Sequence, residues 1–108
     1  LTGLAAGQFY RKPDVFVAAL GEKSRLLAFE WICAFGDEGM RAEMDFAGKS
    51  LKSQMKRADR LEAGYVLIVG DDELKKGEAV LRNMESKEQV TVPLDDLVEN
   101  IKGKIIKE

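Results

Sequence analysis

Two short runs with almost no polar interruption, "DVFVAAL" at 14–20 and "YVLIVG" at 65–70, constrain this chain more than any other feature. A strand with one wet face alternates apolar and polar residues. A strand that is apolar throughout is buried on both faces, as the inner strands of a parallel sheet are. Such a sheet needs helices on both sides, and parallel neighbours need a crossover of about a dozen residues or more. Residues 21–64 supply that crossover twice.

The first crossover opens with a turn at "GEK". A helix follows from Ser24 to Glu38, with Leu27, Trp31 and Phe35 at spacings of four and Ala28 and Ile32 widening the stripe. It ends near Gly39, the residue type that suits a left-handed helix end. Gly36 inside it costs about 1 kcal/mol relative to alanine. Residues 40–46 alternate Met40, Ala42, Met44 and Phe46 with Arg41, Glu43 and Asp45, which predicts an edge strand with one wet side. A second helix places Leu51, Met55, Ala58 and Leu61 on one face, with Ser50 as its N-cap. After the second apolar run, "DDELKKG" predicts a helical turn closed by Gly77. "EAVLRNM" and "EQVTVP" predict a hairpin. Pro93, Asp95 and Asp96 are expected to open a last helix with Leu94, Leu97, Val98, Ile101 and Ile105 on its apolar face.

The link at 71–77 is too short for a full crossover, so the fourth strand should run antiparallel. The expected fold is a three-layer α/β/α sandwich on a mixed five-stranded sheet. Residues 1–13, with two glycines and a proline and no period, are expected to be a connector, and 14–108 one domain.

Chemistry is narrowed by what is missing. The chain has no histidine and one cysteine. Histidine bases, Ser-His and Cys-His pairs, histidine-ligated metals and cysteine zinc sites are therefore excluded. Cys33 lies in "LLAFEWICAF" and is expected to be a buried core thiol. No apolar run is long enough to span a bilayer and no leader pattern opens the chain, so a cytoplasmic location is expected. The chain opens on Leu1 rather than methionine, as a piece of a longer protein would.

The net charge is −2, yet Lys49, Lys52, Lys56, Arg57 and Arg60 place five of the seventeen basic residues within twelve positions. Lys52, Lys56 and Arg60 follow at spacings of four along the helix face opposite the apolar stripe. Ligands of open α/β sheets bind outside the carboxyl ends of the parallel strands. At one of those ends, Gly48, Lys49 and the Ser50-capped helix offer free backbone N–H groups to an anion. "GKS" is not a nucleotide phosphate loop, because the glycine five residues earlier is absent. The competing reading of the basic residues is a solvated helix face. Asp71, Asp72 and Glu73 could hold Mg²⁺, but acids at a helix start more simply complement the helix dipole. The acidic pair of a phosphate-accepting receiver is absent from "AALGEK".

The run "GKSLKSQMKRADRLEAGYVLIVGDDELKKGEAVLRNMESKEQVTVP", with "DVFVAALGEKSR" ahead of it, resembles the C-terminal anticodon-binding domain of histidyl-tRNA synthetases over about residues 14–107. "GKSLKSQMKRAD" is the most specific part. The resemblance implies a sheet in the order 2-1-3-4-5 with strand 4 antiparallel. It implies base contacts from Gly48, Lys49, Glu73 and Arg82, where a carboxylate can accept from guanine and an arginine can donate to, or stack on, a splayed base. It implies RNA-backbone contacts from Ser50, Lys52, Lys56, Arg57 and Arg60. Glu73 and Arg82 are expected to face one groove. The competing reading has Glu73 capping its helical turn and Arg82 pairing with Glu78 or Glu88.

The implied partners are the anticodon stem-loop of tRNA(His), with anticodon GUG, and the catalytic domain of a homodimeric parent ligase. No class II catalytic motif is present. ATP and Mg²⁺ are thus expected in that other domain, with no cofactor, metal or catalytic residue here. The alternatives are the same domain borrowed by a regulatory protein, and a freestanding flavodoxin-like enzyme. The absent glycine-rich first turn weighs against the latter.

Overall fold

The computed structural model describes residues 12–105. The elements follow the order β1 (Val15–Ala19), α1 (Glu22–Asp37), β2 (Ala42–Met44), α2 (Leu51–Arg60), β3 (Tyr65–Val69), α3 (Asp71–Lys76), β4 (Glu78–Asn83), β5 (Gln89–Pro93) and α4 (Leu97–Ile105). The sheet order is β2-β1-β3-β4-β5. β1 runs parallel to both β2 and β3, with Val17 opposite Met44 and Leu67. β4 is antiparallel to β3 and to β5. The expected mixed sheet is present, strand for strand. Most of the connector expected at residues 1–13 lies outside the described residues.

Every residue of β1 is buried, as its unbroken apolar run requires. The two faces of the sheet build separate cores. Val15, Val17, Ala19, Leu67 and Val69 pack with Ala28 and Phe35 of α1 and with Leu97 and Ile101 of α4. On the other side Phe16, Ala18 and Val66 meet Ala58 of α2, with Leu51, Met55 and Met84 partly buried around them. Among the described residues only α2 contributes helical residues to this second core, so among them the same face of β4 and β5, carrying Arg82, Gln89 and Thr91, has less cover.

Four expectations need correction. Cys33 is exposed. The stripe expected from the spacing in α1 does dock, with Ala28 and Phe35 buried and Trp31 and Ile32 packed on the same core, and Cys33 lies off that stripe. The buried line is Ser24, Ala28 and Phe35, and Leu26 (66% exposed) and Phe29 (53%) lie outside. That helix also starts at Glu22, not Ser24. The strand at 40–46 shrinks to Ala42–Met44, because Asp45 Oδ1 accepts the Ala47 N–H at 2.8 Å and turns the chain. Phe46 leaves the strand row, is 66% exposed, and meets Phe29 edge to face at 6.2 Å. Pro93 closes β5 instead of opening the last helix, which begins at Leu97.

A surface clamp joins α4 to the end of α1. Lys102 Nζ donates to Glu38 Oε1 at 2.6 Å. That hydrogen bond first, and the Glu38 charge second, raise the Lys102 pKa above the ordinary 10.5. A raised folded-state pKa gives stability that is complete below the unfolded value and fades as pH climbs through the folded one. The clamp should therefore act unchanged across neutral pH and weaken only in strong alkali. Urea midpoints of the wild type and Lys102→Met should differ by a constant amount from about pH 6 to 9 and converge above about pH 10.5. Convergence at lower pH would count against the pairing.

Candidate nucleic-acid interface

The loop from β2 into α2 is held from inside. Ser50 Oγ accepts the Ser53 N–H at 3.2 Å, the N-cap the sequence leads one to expect. Gln54 is fully buried and was missed by the sequence reading. Its Nε2 donates to the Lys49 carbonyl at 2.8 Å and to the Ala19 carbonyl at 3.0 Å, tying the loop and the first helical turn to the end of β1. The signal was available: at i+3 from Leu51 and i−4 from Ala58, Gln54 falls on the packed face, where a polar side chain needs a bonding role.

Gly48 adopts φ +70°, and a Cβ there would lie 3.1 Å from a guanidinium nitrogen of Arg25. Arg25, at the start of α1, thus joins Lys49 at the carboxyl end of the sheet, and no sequence argument had named it. Gly48, Lys49 and Ser50 are exposed, as are Lys52, Lys56, Arg57 and Arg60 of α2. Ion pairs among the described residues include Lys12 with Glu62, Arg41 with Glu43 and Lys102 with Glu38. None involves a cation of the 49–60 stretch. These charges are left to the solvent or to a polyanion.

α2 forms a ridge between two hollows. One, of about 260 Å³, is lined by Asp45, Lys49, Ser53, Lys56, Arg57 and Arg60. The other, of about 520 Å³, lies between α2 and the β4–β5 hairpin and includes Lys52, Lys56 and Arg82.

Arg82 stands opposite Val66 and Gln89 on the α2 side of the sheet. Its Nη1 donates to Gln89 Oε1 at 3.0 Å, not to Glu78 or Glu88. Its Nε is buried without an acceptor among the described residues. Glu73 Oε1 accepts the Gly70 N–H at 2.8 Å. Gly70 has no side chain to reciprocate, so this is the returning half of a capping box.

Glu73 and Arg82 stand at different levels of the sheet. Glu73 is anchored at Gly70 and Arg82 at the level of Val66, four residues or about 13 Å along β3. Glu73 does not line the hollow that holds Arg82. Asp71, Asp72 and Glu73 do not converge either: among the described residues no group of three acidic or soft ligands is placed to hold a metal. Among the same residues no helix is long and apolar enough to cross a membrane.

Comparison with known proteins agrees with this fold. The histidine–tRNA ligase of Desulfatibacillum aliphaticivorans is 54% identical over 101 residues, which are 94% of this chain and 24% of that protein. The crystal structure of apo S. aureus histidyl-tRNA synthetase superposes with a TM-score of 0.77 at 32% identity, over 82% of this chain and 26% of that one. The RNA binding domain of threonyl-tRNA synthetase from Cryptosporidium parvum shares the fold alone, at a TM-score of 0.72 and 18% identity, over 85% of this chain and 23% of that one. The chain thus spans about a quarter of the length of the proteins it resembles. The family model described as an anticodon binding domain matches residues 14–104, and the chain belongs to that family.

Proposed function

We propose that this chain is the tRNA-reading domain of a histidine–tRNA ligase and selects tRNA(His) by its anticodon stem-loop. The observation that carries the reading is the α2 ridge. Five cations on and before it have no carboxylate partner among the described residues, and they flank a strand face with little cover. Acidic residues elsewhere bring the net charge to −2, which limits indiscriminate binding to nucleic acid. In this reading Lys52, Lys56, Arg57, Arg60 and the Ser50 hydroxyl hold phosphates, while Gly48, Lys49, Glu73 and Arg82 face bases. Histidine activation with ATP and Mg²⁺ belongs to a catalytic domain of the parent, a cytoplasmic homodimer, and this chain alone should give no histidine-dependent pyrophosphate exchange.

The salt dependence of binding tests the reading. Lys52→Ala with Lys56→Ala should weaken binding to an anticodon stem-loop and reduce the slope of log K against log salt by about 1–2. Both side chains are exposed, so stability should change by no more than about 0.5 kcal/mol. Unchanged affinity with an unchanged slope would return the ridge to a solvated helix face.

A further inference from the structure

Arg25 is a cation that the basic helix does not supply. It stands in the first turn of α1, where its N–H donates to the Gly21 carbonyl at 3.0 Å. Its half-buried side chain crosses to the loop before α2. A β-carbon on Gly48 would meet Arg25 Nη1 at 3.1 Å, Cζ at 3.5 Å and Nη2 at 3.9 Å. The guanidinium thus borders the space that a side chain at position 48 would enter. Glycine is needed there twice over: a φ of +70° strains other residues, and Arg25 lies against the bare backbone.

Both sides of this contact are anchored to the end of β1. Gln54 ties the Lys49 carbonyl to that of Ala19, and α1 starts at Glu22, just after Ala19 in the chain. Among the described residues no hydrogen bond or ion pair engages the Arg25 guanidinium. Its planar fork of five N–H donors is therefore seated but uncommitted. An arginine that only raised the local charge could swing in water, as the exposed lysines of α2 can. This one has lost part of its freedom on folding, which lowers the entropy a ligand contact would cost. A phosphate, with two oxygens in reach of two parallel N–H groups, is the ligand such a fork fits.

We infer that Arg25 is a further RNA-binding residue: it holds, through two N–H groups, a phosphate of the nucleotide whose base meets the Gly48–Lys49 loop, and Gly48 leaves it room to do so. The inference rests on the RNA-reading function proposed above. It adds to that function a cation from α1, outside the basic helix, and gives Gly48 a role through Arg25.

Binding of an anticodon stem-loop to the full chain, followed by anisotropy over a salt series, tests the assignment, with the melting temperature of each variant measured alongside. Arg25→Ala should weaken binding about tenfold and lower the slope of log K against log salt by about 1. Arg25→Lys should restore the slope and leave binding about threefold weaker than wild type, because an ammonium keeps the charge without the fork. Gly48→Ala should weaken binding too, yet add little to the loss in Arg25→Ala, since the contact it displaces is already gone. Losses that multiply in the double variant overturn the role given to Gly48. If Arg25 only packs on the loop, Arg25→Ala will melt lower and keep the wild-type slope; that result overturns the phosphate contact and spares the RNA-reading function. Wild-type affinity in Arg25→Ala does the same. Should Gly48→Ala fail to fold, the two Arg25 variants decide alone. Failure of the wild type to bind the stem-loop overturns the RNA-reading function and this inference with it.

Discussion

Gln54→Ala is expected to lower the folding free energy by about 2–4 kcal/mol, a large share of the 5–15 kcal/mol typical of a domain. Two effects add. The carbonyls of Ala19 and Lys49 lose the donor that joins them, and a fully buried side chain leaves a void against β1. Gln54→Met separates these effects, because it fills the space and omits the bonds; it should recover part of the loss and still cost about 1–3 kcal/mol. Urea unfolding followed by circular dichroism measures both. A loss below about 1 kcal/mol in Gln54→Ala would mean that the loop before α2 holds its shape without the tether. Because Lys49 is fixed by the same bonds, the variant should also bind RNA more weakly at temperatures where it remains folded.

The second large effect concerns discrimination between anticodons. In an intact ligase carrying this domain, Arg82→Ala should narrow the preference for a histidine anticodon over a mutated one by roughly tenfold or more, the worth of one lost bidentate base contact. Glu73→Ala should do the same at another nucleotide. The two groups are anchored about 13 Å apart along β3, so their effects should multiply in the double variant. Glu73 has a competing role that the structure displays, the bond to the Gly70 N–H. If capping is its whole role, Glu73→Ala will lower the melting temperature and leave the anticodon ratio untouched. Aminoacylation efficiencies on the two tRNAs, compared for each variant, decide between these outcomes. A ratio that Arg82→Ala does not move would reduce its guanidinium to a partner of Gln89.

Much of the fold was legible in the sequence, and the reasons are local. The unbroken apolar runs at 14–20 and 65–70 could only be strands covered on both faces, and they became β1 and β3. The short link after β3 forced an antiparallel β4. Ser50 and Gly77 marked helix boundaries through capping chemistry that acts within a few residues. The resemblance to anticodon-binding domains supplied the candidate residues, which periodicity could not have done.

What failed was whatever depended on neighbours distant in sequence. The expected stripe of α1 docks, but the surrounding apolar run suggested that Cys33 would be buried too, and the docking left Cys33, Leu26 and Phe29 outside. Phe46 matched the strand alternation until the Asp45 carboxylate captured the Ala47 N–H. The role of Gln54 exists only because β1 ends beside α2. The meeting of Arg25 with Gly48 requires two loops brought to the same end of the sheet. Glu73, where the chain leaves β3, and Arg82, on the strand that returns, were expected to face one groove; the register of β4 on β3 sets Arg82 at the level of Val66, four residues from Gly70, where Glu73 is anchored. The sequence by itself determined the elements, the antiparallel fourth strand and the basic helix, because propensity, capping and burial pattern act over short spans; the sheet order came from the resemblance. Tertiary packing alone decided that Gln54 is buried as a tether, and that cations of α2 share a hollow with Arg82 of β4, because those depend on the register and docking of segments far apart in the chain.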